Sequence, residues 1–544
     1  MKKTKKVVAS ALATLLVGSA FVACTPENGG AVGGQQYDAT KAQLRICSFD
    51  GGVGVKWLED SAARFCELYK DHVFVEGTKG VQIWIEPVLG VDVNKFPNEN
   101  NDIYFAEHAN YYNMLSTGHL LEITDMVTEP MTEFGETESV EDKLYDDYKD
   151  YFRTPAGKYY AIPHYKGIYG ITYDRVLWNE KSLFIGANGV VDQKETGMLA
   201  NGPDGTPNTY DDGLPATYND FYKVCDTMMQ RGITPITWSG MYQWYFSGLL
   251  AALKADFEGE HADLSYSFNG ETYDKLVKSI NPDGTVVYDE PLAITEENGY
   301  EMMRSAGDYY ALTFAEKIID SNYYAQQSFT GSVTHLDVQG TYLLSKYSGK
   351  RIGMLVEGSW WANEAGNYVQ RMQSSYGDTL DARGFALMPY PKATTAEVGE
   401  PQTVLDTANS LACINAHIDP ETIPLAKLFL QFQQTESELI KFVQSTSMTR
   451  NFKYEVPEDV YDGLNTFAKS IVDVCVNCEH VLPMSSSAFM QKNLDKFQFD
   501  PYFKTPAYGH ATDALNGNKH NKTAAEIFAE MQKKFTPQIW NSMR

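Results

Sequence analysis

The sequence predicts an α/β protein folded as at least two lobes. Two observations point there. After the first forty residues, apolar stretches of strand length alternate with segments whose apolar residues recur at helical spacing, the pattern of a sheet with helices on its faces. The chain is also 544 residues long, well beyond the ~250 to 300 residues at which one hydrophobic core stops growing. Its hydrophobic content of 43% is ample for two cores.

From the amino end, Lys2, Lys3, Lys5 and Lys6 precede an apolar run from Val7 to Val22, then Ala23 and Cys24. Basic, apolar and small residues in that order make residues 1–23 a secretory signal, which is processed rather than folded. The apolar run is shorter than the roughly 20 residues that cross a hydrocarbon core. Ala23 and Cys24 resemble the lipobox at which bacterial lipoproteins are cleaved and acylated, with Phe21 where leucine is usual, which implies a lipid on Cys24. The other account is a cleaved signal with an incidental thiol. Residues 24–42 are polar and glycine-rich, too much so to bury a core, and suit a flexible tether.

The formal charge is −26, and removal of the signal lysines makes the mature chain more negative still. Such a charge repels nucleic acid and anionic lipid at long range, so no nucleic-acid partner is expected and a polyanionic ligand is the poorer guess. The thiols Cys47, Cys66, Cys225, Cys413, Cys475 and Cys478 are too sparse for a disulfide scaffold. Cys475 and Cys478 form a C-x-x-C without a second pair, which suits buried thiols or a local disulfide rather than a metal or redox site.

The first folded unit opens with a strand, Leu44 to Ser48, a turn containing Asp50, Gly51, Gly52 and Gly54, and a helix carrying Leu58, Ala62, Phe65 and Tyr69. Strands at Val81 to Glu86 and Asp102 to Ala106 follow, implying a mostly parallel sheet. Ligands of such sheets sit outside the carboxyl ends of the strands. Asp50, Glu107 and His108 occupy two of those ends and are candidate ligand residues, although singly each also suits a helix cap or a solvated turn. Helical spacing recurs at Pro424 to Phe432 and at Thr523 to Phe535, the latter opened by a capping box of Thr523 and Glu526.

A longer pattern follows. Gly157 to Tyr165 reads G-K-Y-Y-A-I-P-H-Y and leads to Tyr173, Asp174 and Leu177; Leu214 to Tyr218 reads L-P-A-T-Y; Ile352 to Trp361 reads I-G-M-L-V-E-G-S-W-W; Phe385 to Pro391 and Ser410 to Ala416 complete the series. In this order the elements resemble the extracellular solute-binding proteins of the maltose-binding type, family 1 of the ABC importers. The resemblance spans nearly the whole mature chain. It implies a two-lobe periplasmic-binding-protein type II fold with hinge-linked lobes: residues 43–170 plus 411–445 in one, 171–410 plus 446–544 in the other. It also implies a monomer that captures an oligosaccharide, closes on it and presents it to an ABC permease from the extracytoplasmic face of the cell membrane, with no required cofactor.

A sugar ring offers an apolar C–H face and a rim of hydroxyls, so its site needs aromatic platforms and planar polar groups. Trp238, Tyr242 and Trp244 belong, with Tyr245 and Phe246, to an aromatic run without helical or alternating period, which cannot hide all its rings on one face. Trp360 and Trp361 are adjacent and point in different directions in any regular structure. By resemblance both stretches line the inter-lobe cleft. Glu357, as hydroxyl acceptor, and Tyr165, as edge-stacking partner, are the next candidates; a buried carboxylate that caps a loop is the competing account for Glu357. Packing into ordinary cores is the competing account for the aromatics. Lys166 and Arg450 could meet a carboxylated sugar, but such side chains normally stay at the surface. A secreted glycoside hydrolase is the alternative function; it would pair Glu357 with a second carboxylate, for which Glu107 is the nominee.

One acidic insert, residues 201–213, departs from smaller family members. Asp204, Thr206, Asn208, Asp211 and Asp212 place oxygen ligands near alternate positions, as a hard cation such as calcium needs. No glutamate closes it in the EF-hand manner. By resemblance to larger members a structural calcium is possible here; a plain Gly/Pro/Asp turn is the alternative.

Overall fold

The computed structural model describes residues 36–476, 478–497 and 523–544. The leader, Cys24 and the tether up to Gln35 lie outside them. Among the described residues no helix is long and apolar enough to cross a membrane.

The first sheet forms around strand Ala42–Phe49, in which buried Leu44 and Ile46 alternate with half-buried Gln43 and Arg45, the period-two pattern of a strand. Val81–Val88 and Ile103–Ala106 pair with it in parallel on either side. Helix Lys56–Leu68 covers it, burying Trp57, Leu58, Ala62 and Phe65. The full strand order is Val81–Val88, Ala42–Phe49, Ile103–Ala106, Leu411–Ile414, Ala161–Pro163. Leu411–Ile414 runs antiparallel to both neighbours. The sheet is therefore mixed rather than mostly parallel. The inserted strand arrives from far along the chain, so no local helical crossover fixes its direction.

The second sheet is ordered Phe385–Met388, Tyr169–Asp174, Ile352–Gly358, Thr234–Thr237. Every residue of Ile352–Gly358 is buried, as expected for a strand covered on both faces. Helices Tyr218–Gln230, Trp244–Glu258 and His335–Ser348 belong to this half. The capping box of Thr523 and Glu526 opens helix Ala524–Met531 as the sequence predicts.

Two separate cores result. One gathers Leu44, Phe65, Phe105, Ile162, Leu411 and Phe429; the other gathers Ile171, Trp178, Leu250, Phe314, Leu355 and Trp540. The first core keeps the chain longer than residue 445. Met448 and Phe452 are buried in it, and Phe452 forms a bridge to Leu144.

The strands that cross between the halves are laced together at Asp406. Its carboxylate accepts from the N–H of Gly167 at 3.0 Å, the N–H of Ala408 at 3.1 Å, the Asn451 amide at 3.1 Å and the Tyr148 hydroxyl. Thr407 donates its N–H to the Gly167 carbonyl at 2.7 Å, and Lys166 donates its N–H to the Thr449 carbonyl at 3.0 Å. All three crossings thus share one buried acceptor, and burial raises the Asp406 carboxyl above its ordinary range. This hinge sets how the two halves face each other.

Candidate functional site

On the first half, the site begins in the turn after the first strand. Gly52 has φ +50°, and a Cβ there would lie 2.7 Å from the Tyr165 hydroxyl and 3.3 Å from Glu107 Oε1. Only glycine meets both demands, left-handed backbone and close approach. Glu107 follows strand Ile103–Ala106 and is hydrogen-bonded to the Tyr165 hydroxyl. Desolvation pushes the Glu107 carboxyl up to about 8; Tyr165 works against that shift and the nearby charge of Glu364 adds to it.

The second half answers with two more carboxylates. Glu357 stands near the end of strand Ile352–Gly358, and Glu364 ends the short helix Trp361–Glu364. Gln339, fully buried on helix His335–Ser348, donates its amide N–H groups to both, at 3.0 Å to Glu357 and 3.1 Å to Glu364. Gly358 N–H donates to Glu357 at 2.9 Å. Across the seam, the backbone N–H of Gly52 donates to Glu364. Burial, then mutual repulsion, holds Glu357 well above the usual carboxylate range; burial raises Glu364 too, against the pull of His335.

Aromatic rings frame these carboxylates. The Trp360 indole stands edge-on to Tyr169 at 5.4 Å and donates its N–H to the Tyr245 hydroxyl. Tyr245 is itself edge-on to Tyr169 at 5.7 Å and stacked on His335 at 5.9 Å. Tyr242 lies 5.5 Å from His335 and 4.6 Å from Trp244, which is 40% exposed. Trp360, Tyr245 and Tyr169 pack with the first core although their chain belongs to the second half, so they mark the seam between the two.

No protein-family model matches the sequence, and no curated protein is significantly similar to it. Solved structures are similar over nearly their full length. A chitin oligosaccharide binding protein superposes with TM-score 0.53 at 14% identity, over 92% of this chain and 99% of its own. The solute-binding protein RafE in complex with raffinose gives 0.51 at 11%, over 90% and 100%, and apo RafE from Streptococcus pneumoniae gives 0.52 at 12%, over 94% and 100%. This chain has the two-lobe solute-binding fold.

Within the solute-binding fold, the sequence-chosen residues divide. Glu107, Tyr165, Glu357 and Trp360 come together at the seam, with Tyr242 and Trp244 at its edge. Asp50 and His108 stay exposed on their turns. Trp238 and Trp361 are corrections, since both are sealed inside the second lobe. Trp238 is stacked on Phe246 at 4.3 Å with its indole N–H on Gln243. Trp361 is enclosed by Tyr342, Phe385 and Phe467. The backbone turns from strand to helix between residues 358 and 361, which sends the two neighbouring indoles to opposite sides. Lys166 and Arg450 are also corrections, because neither is at the surface. Lys166 lies over the Tyr145 ring at 5.0 Å and 2.6 Å from His480; Arg450 is sandwiched between Trp57 and Phe442 at 4.8 and 4.5 Å. Aromatic faces receive both cations.

In the acidic insert several of the oxygens bond within the loop, while Asp212 Oδ1 is buried without a hydrogen-bond partner. Asp211 accepts from Asp204 N–H at 2.9 Å and from the Thr209 hydroxyl at 2.7 Å; Asp204 accepts from Thr206 N–H at 2.7 Å; Asp212 accepts from Asn208 N–H at 2.8 Å. Among the described residues no three His, Cys, Asp or Glu side chains are gathered as metal ligands. Cys475 and Cys478 are free thiols, the latter donating to the Cys475 carbonyl at 3.1 Å.

Sequence reasoning missed Gly52, Gln339, Glu364 and His335, and left Tyr245 as one ring among several. His335 and Gln339 are four apart on one helix, hence on one face. That spacing was the available signal, but nothing in the sequence says which lobe the face meets.

Proposed function

We propose that this chain is the extracytoplasmic solute-binding component of an ABC importer, capturing an oligosaccharide between its lobes and delivering it to a membrane permease. The observation that carries the proposal is the seam itself. Rings of Tyr169, Tyr245 and Trp360 suit the C–H faces of sugars, and Glu107, Glu357 and Glu364 are acceptors for hydroxyls, contributed by both lobes. The solute-binding fold, seen in the chitin oligosaccharide binding protein and in RafE with raffinose, supports it.

Closure is the mechanism. A saccharide that touches both lobes gains contacts only in the closed form and shifts the population toward it. The permease then meets the loaded, closed form. Acylation of Cys24 would hold the protein at the membrane face, with the polar tether giving it reach. Cys24→Ser is expected to abolish incorporation of labelled palmitate and release the protein from membranes.

Hydrolysis fits the seam less well. A hydrolytic pair needs one carboxyl protonated and one ionised, whereas burial raises Glu107, Glu357 and Glu364 alike. Calorimetry against a panel of neutral oligosaccharides, with reducing ends assayed in parallel, tests the function. Saturable binding with no new reducing ends is the expected result. Steady release of reducing ends, or no binding across the panel, would refute it.

A further inference from the structure

The seam gathers three buried carboxyl groups with almost no basic side chain beside them. Glu107, Glu357 and Glu364 contribute carboxyl oxygens, and among the described residues the only basic side chain in ion-pair reach of any of them is the imidazole of His335, 3.8 Å from Glu364. Gln339 adds an independent sign. It is fully buried, its amide N–H groups are used by Glu357 and Glu364, and its amide oxygen is buried without a hydrogen-bond partner. An unpaired buried acceptor costs stability, so a group that brings donors is the natural complement. The aromatic frame supplies a third sign. Tyr245 and Tyr242 stack near His335, and Trp360 and Tyr169 close the other side. Rings of that kind attract a cation as readily as they take a sugar face.

A neutral hydroxyl leaves the buried carboxyls holding their protons, whereas a cation can displace those protons and neutralise the carboxylates it uncovers. An ammonium brings three donors and no lone pair. Carboxylates, an unpaired amide oxygen and aromatic faces therefore match an ammonium better than a hydroxyl rim alone. The acidic chain as a whole, at −26, attracts cationic ligands at long range.

We propose that the saccharide held at this seam carries a protonated amine, as in an amino-sugar oligomer, with Glu357, Glu364 and the Gln339 amide oxygen as the acceptors of its N–H groups. The proposal rests on the saccharide reading of the seam and narrows its substrate class.

The test compares the glucosamine tetramer with its fully N-acetylated counterpart, two oligomers of the same skeleton that differ in charge. Calorimetry on the full mature chain at about pH 6, where the amine is protonated, is expected to show the amine form binding at least tenfold tighter. Its preference should shrink as salt rises, and binding should release protons, read as a dependence of the heat on the buffer's ionisation enthalpy. Glu364→Gln and Gln339→Leu, each checked by circular dichroism for folding, are expected to remove the preference. If Gln339→Leu fails to fold, Glu364→Gln alone decides. Equal or tighter binding of the acetylated tetramer would overturn the amine proposal while leaving the oligosaccharide reading intact. Binding of neither tetramer would also overturn it, and the neutral panel described above then judges the oligosaccharide reading separately. A linear polyamine binding as tightly as the amine tetramer would overturn the saccharide part.

Discussion

Gly52 of the first lobe donates its backbone N–H to the carboxylate of Glu364 in the second. That bond joins the halves directly, and the residues around it explain why this position is glycine. A methyl group at 52 would press on the Tyr165 hydroxyl and on Glu107, and the left-handed backbone would resist it as well. Gly52→Ala is expected to weaken closure without unfolding either lobe. Saccharide affinity should fall at least tenfold, about 1.4 kcal/mol, while the urea midpoint of the free protein changes little.

The two neighbouring indoles should behave oppositely. Trp361 is sealed in the second core, so Trp361→Ala is expected to cost ~3–5 kcal/mol in urea unfolding. Trp360 stands at the seam on Tyr169 and Tyr245, so Trp360→Ala should cost less stability and remove most saccharide affinity. Equal stability losses with affinity retained in Trp360→Ala would contradict its placement as a ligand platform.

Stability should depend on pH through the seam. Glu107 is raised from its ordinary 4.5 to about 8, and Glu357 and Glu364 move the same way; His335, Tyr165 and Tyr245 are the other titratable groups facing them. The folded structure therefore holds protons that the unfolded chain has lost. Stability contributed this way is complete below about pH 4.5 and declines as pH rises toward about 8. Glu107→Gln, which cannot titrate, is expected to flatten that decline in melting temperature. An unchanged slope would show that Glu107 does not hold its proton in the folded protein.

The hinge makes a separate demand. Asp406 accepts from Gly167, Ala408, Asn451 and Tyr148, so Asp406→Ala leaves the Gly167 and Ala408 amides and the Tyr148 hydroxyl without that acceptor, while Asn451 keeps only the Tyr165 carbonyl. A loss of ~3 kcal/mol or more in chemical denaturation is expected, with Asp406→Asn losing less because it keeps the shape and one acceptor. Losses below ~1 kcal/mol for both would contradict the hinge role.

The acidic insert predicts a small response to calcium. Asp204, Asp211 and Asp212 already accept hydrogen bonds within the loop, so a cation must first break them. Millimolar calcium is expected to leave the melting temperature unchanged within about a degree. A rise of several degrees, lost in Asp211→Asn, would show that the loop rearranges into a cation site.

The sequence revealed strands and helices where one rule dominated. Period-two burial drew the first strand, and the capping box of Thr523 and Glu526 drew a late helix start. Candidate residues were legible where they closed a strand, as Glu107 and Glu357 do. What was hidden depends on long-range geometry. The order of the first sheet requires a strand from residue 411 to enter between partners hundreds of residues away. Which of Trp360 and Trp361 faces the seam depends on a turn too short to leave a periodic signal. Gln339 reads as an ordinary helix residue until the fold brings it between two carboxylates.

Small-angle scattering on the mature protein, with and without a saturating saccharide identified by calorimetry, tests the clamp most directly. Desolvation of three carboxyls makes the empty seam costly to hold shut, so the radius of gyration should fall on ligand addition, and Trp360→Ala should fail to show the change. Superimposable curves at full saturation would contradict closure of two lobes on the ligand.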